Sequence, residues 1–233
     1  MTQQHAHNSS NHHPIQTNNV CAQVNLHNTN KRNYLIPKIG VSGAADIAFL
    51  GNTVYDVAKD IGRQIALQGA VMVSGATTGF PYWAAMGCKE QCGISIGLSP
   101  AASAKEHVEV YRLPLEYMDM ITYTGFGYNG RDLMFIRSCD GVIIGPGRIG
   151  TFHEFAIAYE DQKPLGILMG EGEWKTDEII KNIIEFSHRP NKKVVFDTDP
   201  ERLVAKLIEL IKQDRKHLRI YRNDDNASVD LVL

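Results

Sequence analysis

From Tyr34 onward, short apolar runs alternate with longer stretches whose apolar positions recur every three to four residues. That alternation is the pattern of βα units wound around a parallel sheet. The runs predict strands over residues 36–41, 70–73, 94–98, 120–122, 141–144, 165–169 and 193–196. Each is nearly all apolar, as strands buried on both faces are. The periodic stretches predict helices over 53–68, 82–91, 131–138, 151–160 and 176–186. A last helix follows Asp199-Pro200-Glu201, where Asp199 suits the N-cap and Pro200 the first helical position. Its apolar stripe is Leu203, Leu207, Ile208 and Ile211. The expected fold is α/β, a Rossmann-like three-layer arrangement around a mainly parallel sheet of about seven strands.

The flanks read differently. Residues 1 to 33 are rich in Asn, Gln, Ser, Thr and His, including His5, His7, His12, His13 and His27. So little apolar surface does not offset chain entropy, and a disordered tail is expected there. Residues 34–215 read as a single α/β domain with no dividing linker, and 216–233 as a C-terminal tail.

Composition narrows the partners. With 24 Lys and Arg against 26 Asp and Glu, the formal net charge is −2. Such a balance supplies no global attraction for nucleic acid or an anionic membrane, so neither is expected as a partner. The chain shows neither the roughly 20-residue apolar run of a membrane span nor a secretory h-region, so cytoplasmic residence is expected. Cys88 and Cys92 fall four apart in an expected helix, but further zinc ligands are missing nearby. Reduced thiols and no bound metal are the expectation. His107, His188 and His217 lack a partner pattern and read as surface residues.

The chemistry gathers at three glycine-rich strand ends. They are Ser42-Gly43-Ala44-Ala45, Ser74-Gly75-Ala76-Thr77-Thr78-Gly79, and Gly145-Pro146-Gly147-Arg148-Ile149-Gly150-Thr151. Ligands of open parallel sheets bind beyond the carboxyl ends of the strands, and helix starts there favour anions. Three such loops on one edge point to a phosphate-bearing small molecule. Ser42, Gly43, Gly75, Thr77, Thr78, Gly79, Gly147, Arg148, Gly150 and Thr151 are the candidate phosphate and nucleotide ligands. The third loop also satisfies G-x-G-x-x-G, with Glu171 about twenty residues on, which keeps a dinucleotide-dependent oxidoreductase open. Thr151-Phe152-His153-Glu154 reads equally as a capping box, in which Glu154 only satisfies a helix start. Tyr82 and Trp83 are candidates for stacking on a base or for plain packing, and the aromatic loop 123–130 for a cover over the ligand.

Gly130-Arg131-Asp132 through Ser138-Cys139-Asp140, followed by the Gly145 loop, resembles the Lonely Guy (LOG) family and its wider nucleotide-sensing superfamily. The family's P-G-G-x-G-T-x-x-E is matched by Pro146, Gly147, Gly150, Thr151 and Glu154, and Arg131 falls at its catalytic arginine. The resemblance spans about residues 36 to 170. It implies a homodimer that hydrolyses the N-glycosidic bond of a nucleoside 5′-monophosphate, with Arg131 and Glu154 catalytic and no cofactor. Three positions depart from the pattern. Arg148 stands for the second loop glycine, Asp132 for the lysine after the arginine, and His153 for the first acid of a Glu-Glu pair. These departures resemble the branch of molybdenum-cofactor carrier proteins, which implies the alternative of a non-catalytic carrier or sensor.

Overall fold

The computed structural model describes residues 36–170, 174–215, 220–221 and 228–229. The expected N-terminal tail, Glu171 and most of 216–233 lie outside them.

Seven strands form one sheet: β1 (Lys38–Ser42), β2 (Val71–Ser74), β3 (Ser95–Ser99), β4 (Met120–Tyr123), β5 (Gly141–Ile144), β6 (Leu165–Leu168) and β7 (Val194–Asp197). Their order is β4-β3-β2-β1-β5-β6-β7, and every neighbouring pair is parallel. The central strands β1, β5 and β6 are buried almost throughout, which is why they read as unbroken apolar runs. Two further short strands, β8 (Ile220–Tyr221) and β9 (Ser228–Val229), pair antiparallel with each other.

Helices cover both faces. α1 (Thr53–Leu67), α2 (Phe80–Glu90) and α7 (Pro200–Arg215) pack one side through Ile61, Ile65, Ala84, Leu203 and Leu207. α4 (Gly127–Ser138), α5 (Ile149–Glu160) and α6 (Thr176–Phe186) pack the other through Phe135, Ile136, Phe155 and Ile180. The three layers expected from the pattern are present. α1 and α2 cross so closely that a Cβ on Gly62 would lie 1.8 Å from the Ala84 carbonyl oxygen, and one on Gly87 1.9 Å from that of Lys59. A side chain at either position would prise the two helices apart.

Four helices depart from the pattern, among them α2, which begins at Phe80, two residues early. A six-residue helix, α3 (Ala104–Glu109), carries no apolar stripe and buries only His107. That histidine is fully buried, against the surface position expected for it: its ring nitrogens meet Ser99 Oγ at 2.7 Å and the Pro114 carbonyl oxygen at 3.0 Å. α4 begins at Gly127, four residues early, so the aromatic loop already supplies its first turn. α5 begins at Ile149, two residues early. Cys88 and Cys139 are free, and burial pushes the Cys88 thiol up to about 12. Cys92 lies beyond the end of α2 and is disulfide-bonded, contrary to the expectation of reduced thiols.

The sheet order fixes where a ligand fits. The chain builds outward from β1 to β4, then crosses back to lay β5 on the other side of β1. The connections after β1 and β5 therefore diverge, leaving a crevice at their carboxyl ends.

Candidate functional site

A cavity of about 870 Å³ occupies that crevice. The loop after β1 supplies Gly43, Ala44, Ala45 and Asp46, and the loop after β2 supplies Gly75 and Thr77. Tyr128, Asn129, Arg131 and Asp132 enter from α4, and every residue from Arg148 to Glu154 from the start of α5. Ser42, Thr78, Gly79 and Gly147, also singled out by sequence, do not line it. Gly79 instead precedes α2 at φ +72, and Thr78 Oγ1 donates to the Ala45 carbonyl at 2.9 Å.

The glycines around the cavity have separate physical causes. A Cβ on Gly43 or Gly145 would fall 2.7 Å or less from Phe80, so both make room for one buried ring beneath the floor. Gly147 makes room for Thr151, and its N–H is already given to Thr176 Oγ1 at 2.8 Å. Gly150 differs: a Cβ there would meet nothing within 4 Å. It stands in the first turn of α5, where backbone N–H groups have no partner within the helix. Arg148 precedes that turn in extended backbone, and no side chain caps it. A helix start with no acid in its first turn, opening on a cavity, is suited to an anion.

Behind the helix start lies a row of buried polar groups. Ser42 Oγ donates to Glu154 Oε2. Arg131 Nε donates to Asp132 Oδ1 at 3.0 Å, while its Nη1 donates to the Gly75 carbonyl and, at 3.4 Å, to that of Leu98. Asp132 Oδ2 accepts from His153 Nδ1 at 2.8 Å. Arg131, Asp132 and Glu154 are all at least nine-tenths buried. Burial pushes the Glu154 carboxyl up to about 8, against the pull of Arg131 and with the help of the neighbouring Asp132, to which it hydrogen-bonds. With the Glu154 carboxyl pushed towards its neutral form, the cluster comes down to one buried cation, Arg131, facing one buried anion. A neutral sum of this kind is what makes such a cluster tolerable away from water.

Glu154 therefore does not close a capping box. The helix starts too early for that, and its carboxyl reaches Ser42 on β1 rather than a backbone N–H. Sequence reasoning noted Asp132 and His153 only as departures, not as partners. The signal was present: a lysine and an acid of the family pattern are replaced by an acid and a histidine, so the charges are exchanged together. Tyr82 and Trp83 do not line the cavity; they continue an edge-to-face chain with Tyr55 and Tyr117. From the aromatic loop, Tyr128 does line it, 5.7 Å from the Arg131 guanidinium carbon.

Fold and site together define a doubly wound α/β protein with an anion-ready helix start at the switch point of its sheet. The SLOG cluster4 family model matches residues 36–204, and the chain belongs to that family. It is similar to the molybdenum cofactor binding protein of Rippkaea orientalis: 30% identity over 77% of this chain and 97% of that one, TM-score 0.58. It is also similar to the molybdenum cofactor carrier protein of Chlamydomonas reinhardtii, at 25% identity over 76% and 99% of the two chains, TM-score 0.60. The fold extends, at 18% identity over 74% and 80% of the chains and TM-score 0.54, to DNA processing protein A of Helicobacter pylori, described with a single-stranded DNA binding mode. That likeness corrects the exclusion of nucleic acid drawn from net charge. A whole-chain sum of −2 says nothing about local fields, and a chain of this fold does bind a nucleic acid. Among the described residues, no helix is long and apolar enough to cross a membrane.

Proposed function

We propose that this chain binds a phosphorylated ligand carrying a heterocyclic ring, of the nucleotide or molybdenum-cofactor class, and holds it without turnover. The phosphate sits at the start of α5, where Gly150 leaves the approach open, and the ring lies against Tyr128 or Phe152, the aromatic residues of the lining. About 870 Å³ is ample for a ligand of that size.

One observation carries the choice of binder over hydrolase. Cleaving an N-glycosidic bond develops positive charge on the ribose, which a fixed carboxylate would stabilise. Here burial and Asp132 push the Glu154 carboxyl towards its neutral form, and Arg131 is committed to Asp132 and two backbone carbonyls. Together with Asp132 the two residues brace the wall of the cavity, and the three offer the ligand no net charge. The likeness to molybdenum cofactor binding and carrier proteins supports the same reading.

The test is incubation of the purified protein with AMP and GMP, following binding by calorimetry and free base by chromatography. Binding with no base released is the expected result. Stoichiometric binding followed by multiple turnovers would overturn it in favour of a phosphoribohydrolase. A specific observation supports that second reading: a buried carboxyl titrating near 8 in a cavity wall is also what an enzyme tunes for proton transfer. Mass spectrometry of the ligand that co-purifies then separates nucleotide from pterin.

A further inference from the structure

His153 lines the cavity, and its side chain is 43% exposed. Its Nδ1 is bound at 2.8 Å to Asp132, whose own side chain is 6% exposed and is anchored a second time by Arg131. We propose that this pair is a ligand-reading device, with His153 Nε2 contacting the non-phosphate part of the ligand and Asp132 as its positioning residue. The inference rests on the binding reading of the cavity.

The geometry assigns the proton. Asp132 already accepts from the Arg131 guanidinium, so its carboxylate is an acceptor, and His153 must carry hydrogen on Nδ1 to bond to it. In the neutral ring Nε2 is then an acceptor, and no partner is given to it by the described residues. A carboxylate fixing one ring nitrogen so that the other meets a ligand is a recurrent use of histidine. Position along α5 says which part of the ligand is met. Gly150 and Thr151 lie in the first helical turn, where an anion is held, whereas His153 is the fifth residue of the helix. An acceptor at that place matches a hydroxyl of the sugar or an N–H of the ring, and has no use for a phosphate oxygen. The charged residues that line the cavity with it are Arg131 and Asp132 from α4, Arg148 and Glu154 from its own segment, and Asp46 from the loop after β1.

Two substitutions separate this role from a structural one. Asn in place of His153 still offers an amide N–H to Asp132 where Nδ1 was, but has no atom at Nε2. Gln reaches towards the Nε2 position instead. The probes are AMP and inorganic phosphate, each titrated into wild type, His153→Asn and His153→Gln, with melting temperatures in parallel. We expect His153→Asn to melt like wild type, bind inorganic phosphate unchanged, and lose about tenfold in AMP affinity, as deletion of one ligand hydrogen bond does. His153→Gln should recover part of that loss. Nitrogen-15 spectra of the ligand-free protein at pH 8 should show the His153 proton on Nδ1. A proton on Nε2 overturns the orientation by Asp132. An equal loss of phosphate affinity overturns the assignment to the non-phosphate part, and unchanged AMP affinity in His153→Asn overturns the contact alone. Wild type binding neither probe overturns the reading of the cavity, and the contact with it.

Discussion

Two helix starts at the same edge of the sheet solve the same electrostatic problem in opposite ways. Both follow a strand end, α7 after β7 and α5 after β5. At α7 the chain satisfies itself: Asp199 accepts from the Arg202 N–H at 2.8 Å, and Glu201 adds an acid in the first turn. Asp197, beside it, is bound by Arg202 at 2.8 Å and Lys206 at 2.7 Å, and those bonds hold its carboxyl well below the usual carboxylate range. At α5 no side chain caps the first turn, no acid stands in it, and an arginine precedes it. One helix start is closed by its own anions, while the other has none of its own, as the proposed phosphate site requires. Glycine loops alone do not show this difference, since several glycines of the α5 loop answer to packing beneath it.

The comparison breaks most directly if α5 is given the anion that α7 already has. Gly150→Asp places a carboxylate in the first turn, in space where a Cβ meets nothing. An acid at a helix start stabilises the helix by about 0.3–1 kcal/mol. The same charge repels the ligand phosphate, and like charges brought together cost several kcal/mol. We expect affinity for AMP to fall by at least ~100-fold, with a melting temperature unchanged or slightly raised. Unchanged affinity would mean that the ligand sits elsewhere.

The second way to sharpen it tests whether Glu154 braces the site or holds a charge for it. Its carboxyl is raised to about 8 in the folded chain from an ordinary 4.5. Between those values the unfolded chain has lost its proton and the folded chain has kept it, so stability falls as pH rises through that window. Above about 8 the loss is complete. Glu154→Gln keeps the acceptor for Ser42 and a donor towards Asp132, and cannot ionise. Relative to wild type it should gain little near pH 4 and about 1 kcal/mol or more at pH 8, roughly 2–4 °C in melting temperature. Melting curves across that range decide it. A variant that melts lower than wild type at pH 8 would show an ionised, salt-bridged Glu154.

How legible this was in the sequence follows from where each interaction lies. Buried parallel strands announce themselves, because each is a local apolar run such as Val142-Ile143-Ile144. The three glycine-rich strand ends were local too, and all three reach the cavity. What sequence missed is what joins distant residues. Ser42 and Glu154 are 112 positions apart, and Asp132 and His153 are 21 apart on two neighbouring helices. Nothing in either local pattern shows that they meet, and a Thr-x-x-Glu spacing offered a nearer partner that the early start of α5 removed. The α1–α2 contact was invisible for a similar reason. Gly62 and Gly87 look like weak points in two helices until the opposite backbone is seen to occupy their missing side chains.

The smallest effect is expected at the closed helix start, and it completes the contrast. Asp199→Ala removes the carboxylate that accepts from the Arg202 N–H and leaves a donor of α7 to water. Loss of an N-cap costs about 1 kcal/mol, or roughly 2–4 °C for a chain of this size. Asp197 remains bound to Arg202 and Lys206, so the sheet edge should hold. Because α7 supplies no residue to the cavity, affinity for AMP should not change. The two starts are then told apart by a double dissociation. Asp199→Ala lowers the melting temperature and spares binding, whereas Gly150→Asp spares the melting temperature and removes binding. A fall in affinity with Asp199→Ala would show that α7 shares the ligand's field, and that the division between a closed and an open helix start is wrong.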